Sequence, residues 1–259
     1  MTALTGFTER SFTHDGKNRP VYWRGSGPGV VIMHEIPGIT PQVIRFAEFV
    51  SDAGFSAVMP QMFGDPGRAI SAGYIAKEFA RACISHEFSV LAAHKSSPIT
   101  DWLRALCRSV HTELGGRGVG AIGMCLTGNF ALSLMMEPCM MAPVLSQPSL
   151  PLPLGKARAA GLHISADELG NLKRRAAQGD KVLGLRFSKD PACPHARFET
   201  LQRELGNGFE SIEIDSKYGN PAGNWMPHSV VTTDLVNEDK HPTRLALDRV
   251  IGFFNERLK

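Results

Sequence analysis

The stretch GVGAIGMCLTGNFALSLMM (residues 118–136) places a cysteine between an apolar run and a segment of helical period. The run VGAIGMC is short and apolar, which is typical of a buried strand. Glycines stand two residues before and three residues after Cys125, at Gly123 and Gly128. The stretch therefore predicts a tight strand-to-helix corner with the Cys125 thiol at its tip. Taken alone, it fits a buried structural cysteine equally well.

Along the rest of the chain, apolar segments alternate with segments of helical period, which is the pattern of a sheet built from crossover units. No linker or repeat divides the chain, so we expect one α/β domain over residues 1–259, with a mostly parallel sheet and helices on both faces. The turn Asp15-Gly16 predicts a hairpin over residues 11–25. The further predicted strands are 29–35, 56–64, 119–125, 142–149, 181–190 and 209–216.

Seven helices are predicted from apolar spacing and from residues that start or stop helices. Asp101 is a candidate N-cap of one of them. Ser165 precedes Glu168 by three residues, which is the spacing of a capping box. The predicted helices are 41–55, 75–88, 101–116, 129–136, 165–180, 195–206 and 242–259.

Composition narrows the classes of function. The net charge is +3 and no block of five or six Lys or Arg residues occurs, which argues against dedicated nucleic-acid binding. No run approaches 18 apolar residues and the first 20 residues lack the pattern of a secretory signal, so neither a membrane partner nor export is expected. We expect a cytoplasmic protein that is a monomer or a small homo-oligomer.

The five cysteines are an odd number and form no C-x-x-C pair, so neither a zinc site nor a disulfide framework is expected. The thiols are therefore expected to be free and reduced. No metal and no cofactor is predicted. The cysteines are Cys83, Cys107, Cys125, Cys139 and Cys193.

Two later residues stand where a cysteine hydrolase would need them. In such sheets, ligands bind beyond the carboxyl ends of the strands. Asp190 follows a predicted strand, and His228 lies in the loop NWMPHSVVTTD before the last helix. Nucleophile, acid and base thus occur in the chain order that this class of hydrolase requires. Each residue alone has a plainer explanation, as a turn or cap residue, so the combination carries the prediction.

Other residues compete for the roles of acid and base. His241 precedes Pro242 and has the place of a helix cap or surface residue. His195 and Cys193 lie in the loop of Asp190, on the side nearer the following helix, and Asp215 ends a strand that comes one too late. We therefore prefer Asp190 and His228.

These residues resemble the dienelactone hydrolase (carboxymethylenebutenolidase) family, a cysteine branch of the α/β-hydrolase superfamily. The resemblance runs from about residue 29 to the final helix. Its specific points are the sequence HEIPG at 34–38, the G-x-C-L-x-G corner at 123–128, Asp190 and His228-Ser229. It implies an α/β-hydrolase fold and a Cys-His-Asp triad.

The resemblance also implies roles for three residues near the thiol. Glu35 would lie beside Cys125, set its protonation state and take its proton as substrate binds; a neighbouring carboxylate raises the pKa of a thiol. The resting thiol would then resist oxidation. The backbone amides of Ile36 and Leu126 would form the oxyanion hole, with each donor contributing about 3 kcal/mol. Alternatively, Glu35 caps the turn after its strand.

Departures from the family pattern concern substrate recognition. The family has an arginine four residues after its histidine, where this chain has Thr232. Arg68 and Arg81 lie in the region of a second family arginine, and the sequence does not decide whether either one takes its role of binding a substrate carboxylate. The glycine of the corner is displaced by one residue, to Thr127-Gly128, and residues 145–180 are long and rich in proline.

The sequence therefore predicts a cysteine-dependent hydrolase of a small-molecule ester or lactone. The alternative is a catalytically silent α/β-hydrolase fold that binds a small molecule or a partner. A serine esterase is disfavoured because Ser146 and Ser165 lie at no glycine-framed corner.

Overall fold

The computed structural model of the protein describes residues 4–85, 87–88 and 97–259. Eight strands form one sheet in the order β1-β2-β4-β3-β5-β6-β7-β8. Strand β2 is antiparallel to both of its neighbours, and all pairs from β4 to β8 are parallel. The strands are β1 (Thr8–His14), β2 (Lys17–Arg24), β3 (Gly29–Met33), β4 (Ser56–Pro60), β5 (Val119–Met124), β6 (Met140–Ser146), β7 (Val182–Phe187) and β8 (Phe209–Ile214).

Helices cover both faces of the sheet, as predicted. Because side chains alternate along a strand, β5 contributes Val119 and Ala121 to one face, and Ile122 and Met124 to the other. Helices α3, α4, α6 and α7 pack on the first face, and α1 and α8 pack on the second. The helices are α1 (Pro41–Asp52), α2 (Ala72–Ile84), α3 (Ile99–Leu114), α4 (Phe130–Leu134), α5 (Lys156–Ala160), α6 (Ala166–Ala177), α7 (His195–Leu205) and α8 (Pro242–Leu258).

The helix starts show which capping residues could be predicted from the sequence around them. Ser165 and Glu168 form the predicted capping box of α6, with Ser165 N donating to Glu168 Oε2 at 2.7 Å. Asp101 as an N-cap was wrong: α3 begins at Ile99, directly after Pro98, and Asp101 lies in its first turn and accepts from Arg104 at 2.9 Å. Proline is favoured at helix starts because it has a fixed φ and no N–H to satisfy.

Helix α2 begins three residues before its predicted start. Ser71 accepts a hydrogen bond from the Tyr74 amide and so caps the helix at Ala72. The helix ends at Ile84, whereas the prediction extended to residue 88 and includes position 86, which lies outside the described residues.

Within the part of the chain that the structure describes, no helix has the length and apolar character needed to span a bilayer.

The proline-rich segment after β6 crosses the carboxyl end of the sheet and is held there by Arg197 of α7. The Arg197 side chain is fully buried, and burial lowers its pKa to about 10. Loops without ladder partners leave carbonyl groups that need donors, and a guanidinium supplies five N–H groups. Its donors reach the carbonyl oxygens of Pro148 (2.5 Å), Pro151 (2.7 Å), Arg158 (3.0 Å) and Gly161 (2.8 Å).

Arg197→Met should lower the free energy of unfolding by about 3 kcal/mol, because it leaves buried carbonyl groups without donors. Urea denaturation measures the change. Arg203→Met is the matched control on the same helix, since Arg203 is exposed and pairs with the neighbouring Glu204; its expected effect is within about 0.5 kcal/mol. Equal effects of the two substitutions would contradict the assignment of Arg197 as the residue that holds this segment.

Candidate active site

The predicted corner forms at the end of β5. Cys125 adopts a φ of +54°, in the left-handed region that non-glycine residues rarely occupy, and its side chain is partly exposed. Such strain is kept where the surrounding structure enforces it. A single 3₁₀ turn, Cys125–Thr127, follows, and α4 begins only at Phe130. The predicted helix over 129–136 is therefore shorter than expected, and a 3₁₀ turn follows the thiol directly.

The residues around Cys125 explain the unusual spacing of the corner. A Cβ atom at Gly123 would lie 2.2 Å from the Thr127 carbonyl oxygen, and one at Gly128 would lie 2.4 Å from the Pro148 Cα, so both glycines are sterically required. The Thr127 hydroxyl accepts from the Met124 amide at 2.9 Å. It also donates to the carbonyl of Met33, at the end of the neighbouring strand β3, at 2.8 Å. Thr127 thus ties β3 to the corner, which a glycine there could not do.

His228, Asp190 and Cys125 come together at this edge of the sheet. The His228 Nδ1 lies 2.7 Å from Asp190 Oδ2, which leaves Nε2 without that partner, and His228 and Cys125 line the same cavity. Burial alone would lower the pKa of His228, but Cys125 and Asp190 together raise it well above its usual value of 6.5. Asp190 Oδ1 also accepts from the Ala192 amide at 2.9 Å, so the residue closes a turn as well.

The competing residues lie in structural roles elsewhere. His241 is the N-cap of α8, and Asp215 accepts from a backbone amide in the turn after β8. His195 is exposed and hydrogen-bonds Glu213 at 3.0 Å. Burial raises the pKa of Cys193 to about 12, so this thiol stays protonated. None of these four residues lines the cavity beside Cys125.

Glu35 is buried beside this cavity, with 3% of its surface exposed. Its carboxylate accepts from the Ser229 hydroxyl at 2.7 Å, from Gln147 Nε2 at 3.1 Å and from the Thr232 hydroxyl. Burial raises the pKa of Glu35, against the hydrogen bond from Thr232 and the charge of His228. The carboxylate is thus held by hydroxyl and amide donors, with Thr232 in the place of the family's arginine.

Two residues that the sequence did not single out position the histidine loop. Asp234 is fully buried and accepts from the amides of His228 and Ser229, each at 2.8 Å. Gln147 Oε1 accepts from the Val230 amide at 3.3 Å while its Nε2 reaches Glu35. The signal for Gln147 was its place directly after β6, at the carboxyl end of the sheet; the sequence around Asp234 carried no such signal.

A cavity of about 270 Å³ opens over the corner. Cys125, His228, Glu35, Ile36 and Leu126 all line it, and Asp190 lies behind His228. Among the lining residues that the structure describes there is no arginine, so neither Arg68 nor Arg81 contributes. No group of three or more His, Cys, Asp or Glu residues in the described ranges is arranged to hold a metal ion.

Comparison with known proteins gives a family match. The model of the dienelactone hydrolase family matches residues 19–158, which include the corner and the sequence HEIPG. No curated protein sequence matches the chain.

Solved structures share the fold over almost the whole chain. A protein of Klebsiella pneumoniae subsp. pneumoniae assigned as a dienelactone hydrolase has 19% identity and a TM-score of 0.65, covering 96% of this chain and 98% of its own. A dienelactone hydrolase-like promiscuous phosphotriesterase from metagenomic libraries has 17% identity and a TM-score of 0.60, covering 98% and 100%. A cold-adapted esterase from an Arctic intertidal metagenomic library has 16% identity and a TM-score of 0.57, covering 100% and 97%. The prediction of an α/β-hydrolase fold is confirmed.

Thr127→Val should lower the free energy of unfolding by about 2 kcal/mol, because the Met124 amide loses its acceptor and the Met33 carbonyl loses its donor. Thr127→Ser keeps the hydroxyl and should cost less than about 1 kcal/mol. Chemical denaturation of both variants measures the difference. If the two substitutions cost the same, the hydroxyl does not hold the corner.

Glu35→Gln should change how stability depends on pH. Because burial raises the pKa of Glu35 above 4.5 in the folded state, the native protein binds more protons than the unfolded chain between 4.5 and the raised value. This contribution to the free energy of unfolding is present below pH 4.5 and is lost as pH rises through the raised pKa. The variant, which cannot titrate there, should gain stability relative to wild type over that window.

Urea midpoints measured from pH 4 to pH 8 follow this difference. Glu238→Gln, at an exposed position, is the control for removing one negative charge. A difference between wild type and Glu35→Gln that stays constant with pH, or that matches the control, would show that Glu35 does not titrate abnormally.

Proposed function

The chain belongs to the dienelactone hydrolase family of ester hydrolases, and we propose that it hydrolyses a small-molecule ester or lactone through a Cys125-His228-Asp190 triad. One observation carries the proposal. A partly exposed thiol at a strained corner lines the same cavity as an imidazole whose Nδ1 lies 2.7 Å from a buried carboxylate. This is the arrangement of a nucleophile, its general base and the group that orients the base.

In the acylation step, the Cys125 sulfur attacks the ester carbonyl carbon and the thiol proton passes to His228 Nε2. The carbonyl oxygen becomes an oxyanion, which the amides of Ile36 and Leu126 would stabilise by about 3 kcal/mol each. When the tetrahedral intermediate collapses, the carbon–oxygen bond to the leaving group breaks. His228 returns its proton to the departing alkoxide, and a thioester remains on Cys125.

In the deacylation step, His228 Nε2 takes a proton from water as the water oxygen attacks the thioester carbonyl. The carbon–sulfur bond then breaks, the acid product forms and the sulfur leaves as a thiolate, which regains a proton from His228. Asp190 holds Nδ1 protonated throughout and stabilises the imidazolium that forms in each step.

The charge of His228 lowers the pKa of Glu35 against the larger effect of burial. We propose that Glu35 sets the protonation state of the Cys125 thiol. Activated esters and lactones are the expected substrates, because attack on an amide would require a protonated leaving group.

Cys125→Ala should lower kcat/KM for 4-nitrophenyl hexanoate by at least about 10³-fold, because the alanine offers no nucleophile. Cys83→Ala removes an exposed free thiol from α2 and is the matched control, with activity expected within about twofold of wild type. Mass spectrometry of a rapidly quenched reaction should locate the acyl group on the peptide that contains Cys125.

Other outcomes identify the rival functions. Full activity of Cys125→Ala would exclude the triad. Inhibition of that remaining activity by a sulfonyl fluoride would point to a serine esterase. A wild-type protein that turns over no ester or lactone, with Cys125 no more reactive than Cys83, would be a catalytically silent binding protein.

A further inference from the structure

The walls of the cavity beyond the catalytic corner are mostly apolar, with the neutral polar residues Ser149, Asn224 and Thr233 among them. Residues of α2 and the preceding loop face residues of the proline-rich segment and of the histidine loop across it. Of the residues that the structure describes, no lysine or arginine lines this space. The apolar lining residues are Ile70, Ile75, Phe79, Leu150, Leu152 and Met226.

The two arginines near the cavity are engaged elsewhere. Arg68 Nη1 lies 2.9 Å from Asp65 Oδ2, and its guanidinium lies 4.2 Å from the ring centroid of Tyr74. Arg81 Nη1 lies 2.9 Å from Glu78 Oε1 on its own helix. Both arginines are therefore paired with carboxylates, and neither lines the cavity.

The ionisable groups that line the cavity offer no free cation to an anion. Glu35 contributes a carboxylate that is hydrogen-bonded by hydroxyl and amide donors. Among the described lining residues, His228 alone can carry a positive charge, and Asp190 already pairs with it at 2.7 Å. A substrate carboxylate would lose its hydration and find no free cation in this lining, which disfavours its binding.

We propose that the cavity accepts the acyl group of an uncharged, apolar ester or lactone and excludes substrates that carry a carboxylate. This proposal rests on the proposed function for its statement about esters, whereas the selectivity of the cavity against anions can be tested without any turnover.

A matched pair of esters tests the substrate class. In 4-nitrophenyl hexanoate and mono-4-nitrophenyl adipate, the leaving group and chain length are the same, and only the terminal methyl group is replaced by a carboxylate. We expect kcat/KM to be at least about 100-fold higher for the hexanoate, with both activities lost in Cys125→Ala. Equal or faster Cys125-dependent hydrolysis of the adipate ester would overturn the inference and leave the proposed function intact.

A charge introduced into the wall should shift this preference. Phe79→Lys places an ammonium group on the cavity, and the ratio of kcat/KM for hexanoate over adipate should fall at least about tenfold. Ile84→Lys adds the same charge on the same helix at an exposed position outside the lining, and should change the ratio by less than about twofold. Equal shifts in the two variants would show that the wall residue does not contact the acyl chain.

Alkylation tests the cavity without hydrolysis. Iodoacetamide and iodoacetate differ by one negative charge, and the thiolate fraction of a cysteine cancels in the ratio of their two rates. The ratio at Cys125 should exceed that at the exposed Cys83 by at least about tenfold in favour of iodoacetamide. Equal ratios would overturn the exclusion of anions. A high ratio in a protein that hydrolyses no ester would refute the hydrolase and keep the neutral, apolar cavity.

Discussion

The site depends on one backbone constraint, the left-handed conformation of Cys125 at the end of the central strand β5. Three neighbours impose it. Gly123 and Gly128 leave room for the backbone to fold back on itself, and the Thr127 hydroxyl bonds the end of β5 to the end of β3. Because the corner is bonded to the adjacent strand, it brings the thiol to a defined place above the sheet edge, where the loops after β7 and β8 carry Asp190 and His228.

The buried carboxylate of Glu35 couples the stability of the fold to the chemistry of the site. Burying a carboxylate is unfavourable, and here three neutral donors from two different loops offset part of that cost. The same donors join the loop after β6 to the loop that carries His228, since Gln147 bonds both Glu35 and the Val230 amide. The protonation state of Glu35 therefore affects the hydrogen bonds that join these two loops.

Local sequence signals were sufficient where one residue type satisfies one physical need. The capping box at Ser165, the hairpin turn at Asp15-Gly16 and the alternation of strands and helices were predicted for this reason. The chain order of Cys125, Asp190 and His228 followed from topology. Contacts made across the fold left no such trace: Arg197 and Asp234 look like ordinary helix and loop residues in the sequence, and their partners are known only once distant segments are packed. Asp101 shows the limit of local signals, because Pro98 three residues earlier started the helix instead.

The resemblance to the family implies an arginine at the position of Thr232, and the threonine found there affects both Glu35 and the cavity. A cation in that place would neutralise Glu35 and offer a partner to an anionic substrate. Thr232 instead supplies one neutral hydrogen bond, and among the described lining residues only His228 can carry a positive charge. Protonation of Glu35 is then the least costly way to keep it buried. If Cys125, His228 and Asp190 act as the proposed triad, the polarity of the recognised substrate can change while that triad is kept, because the mostly apolar walls are formed by other residues.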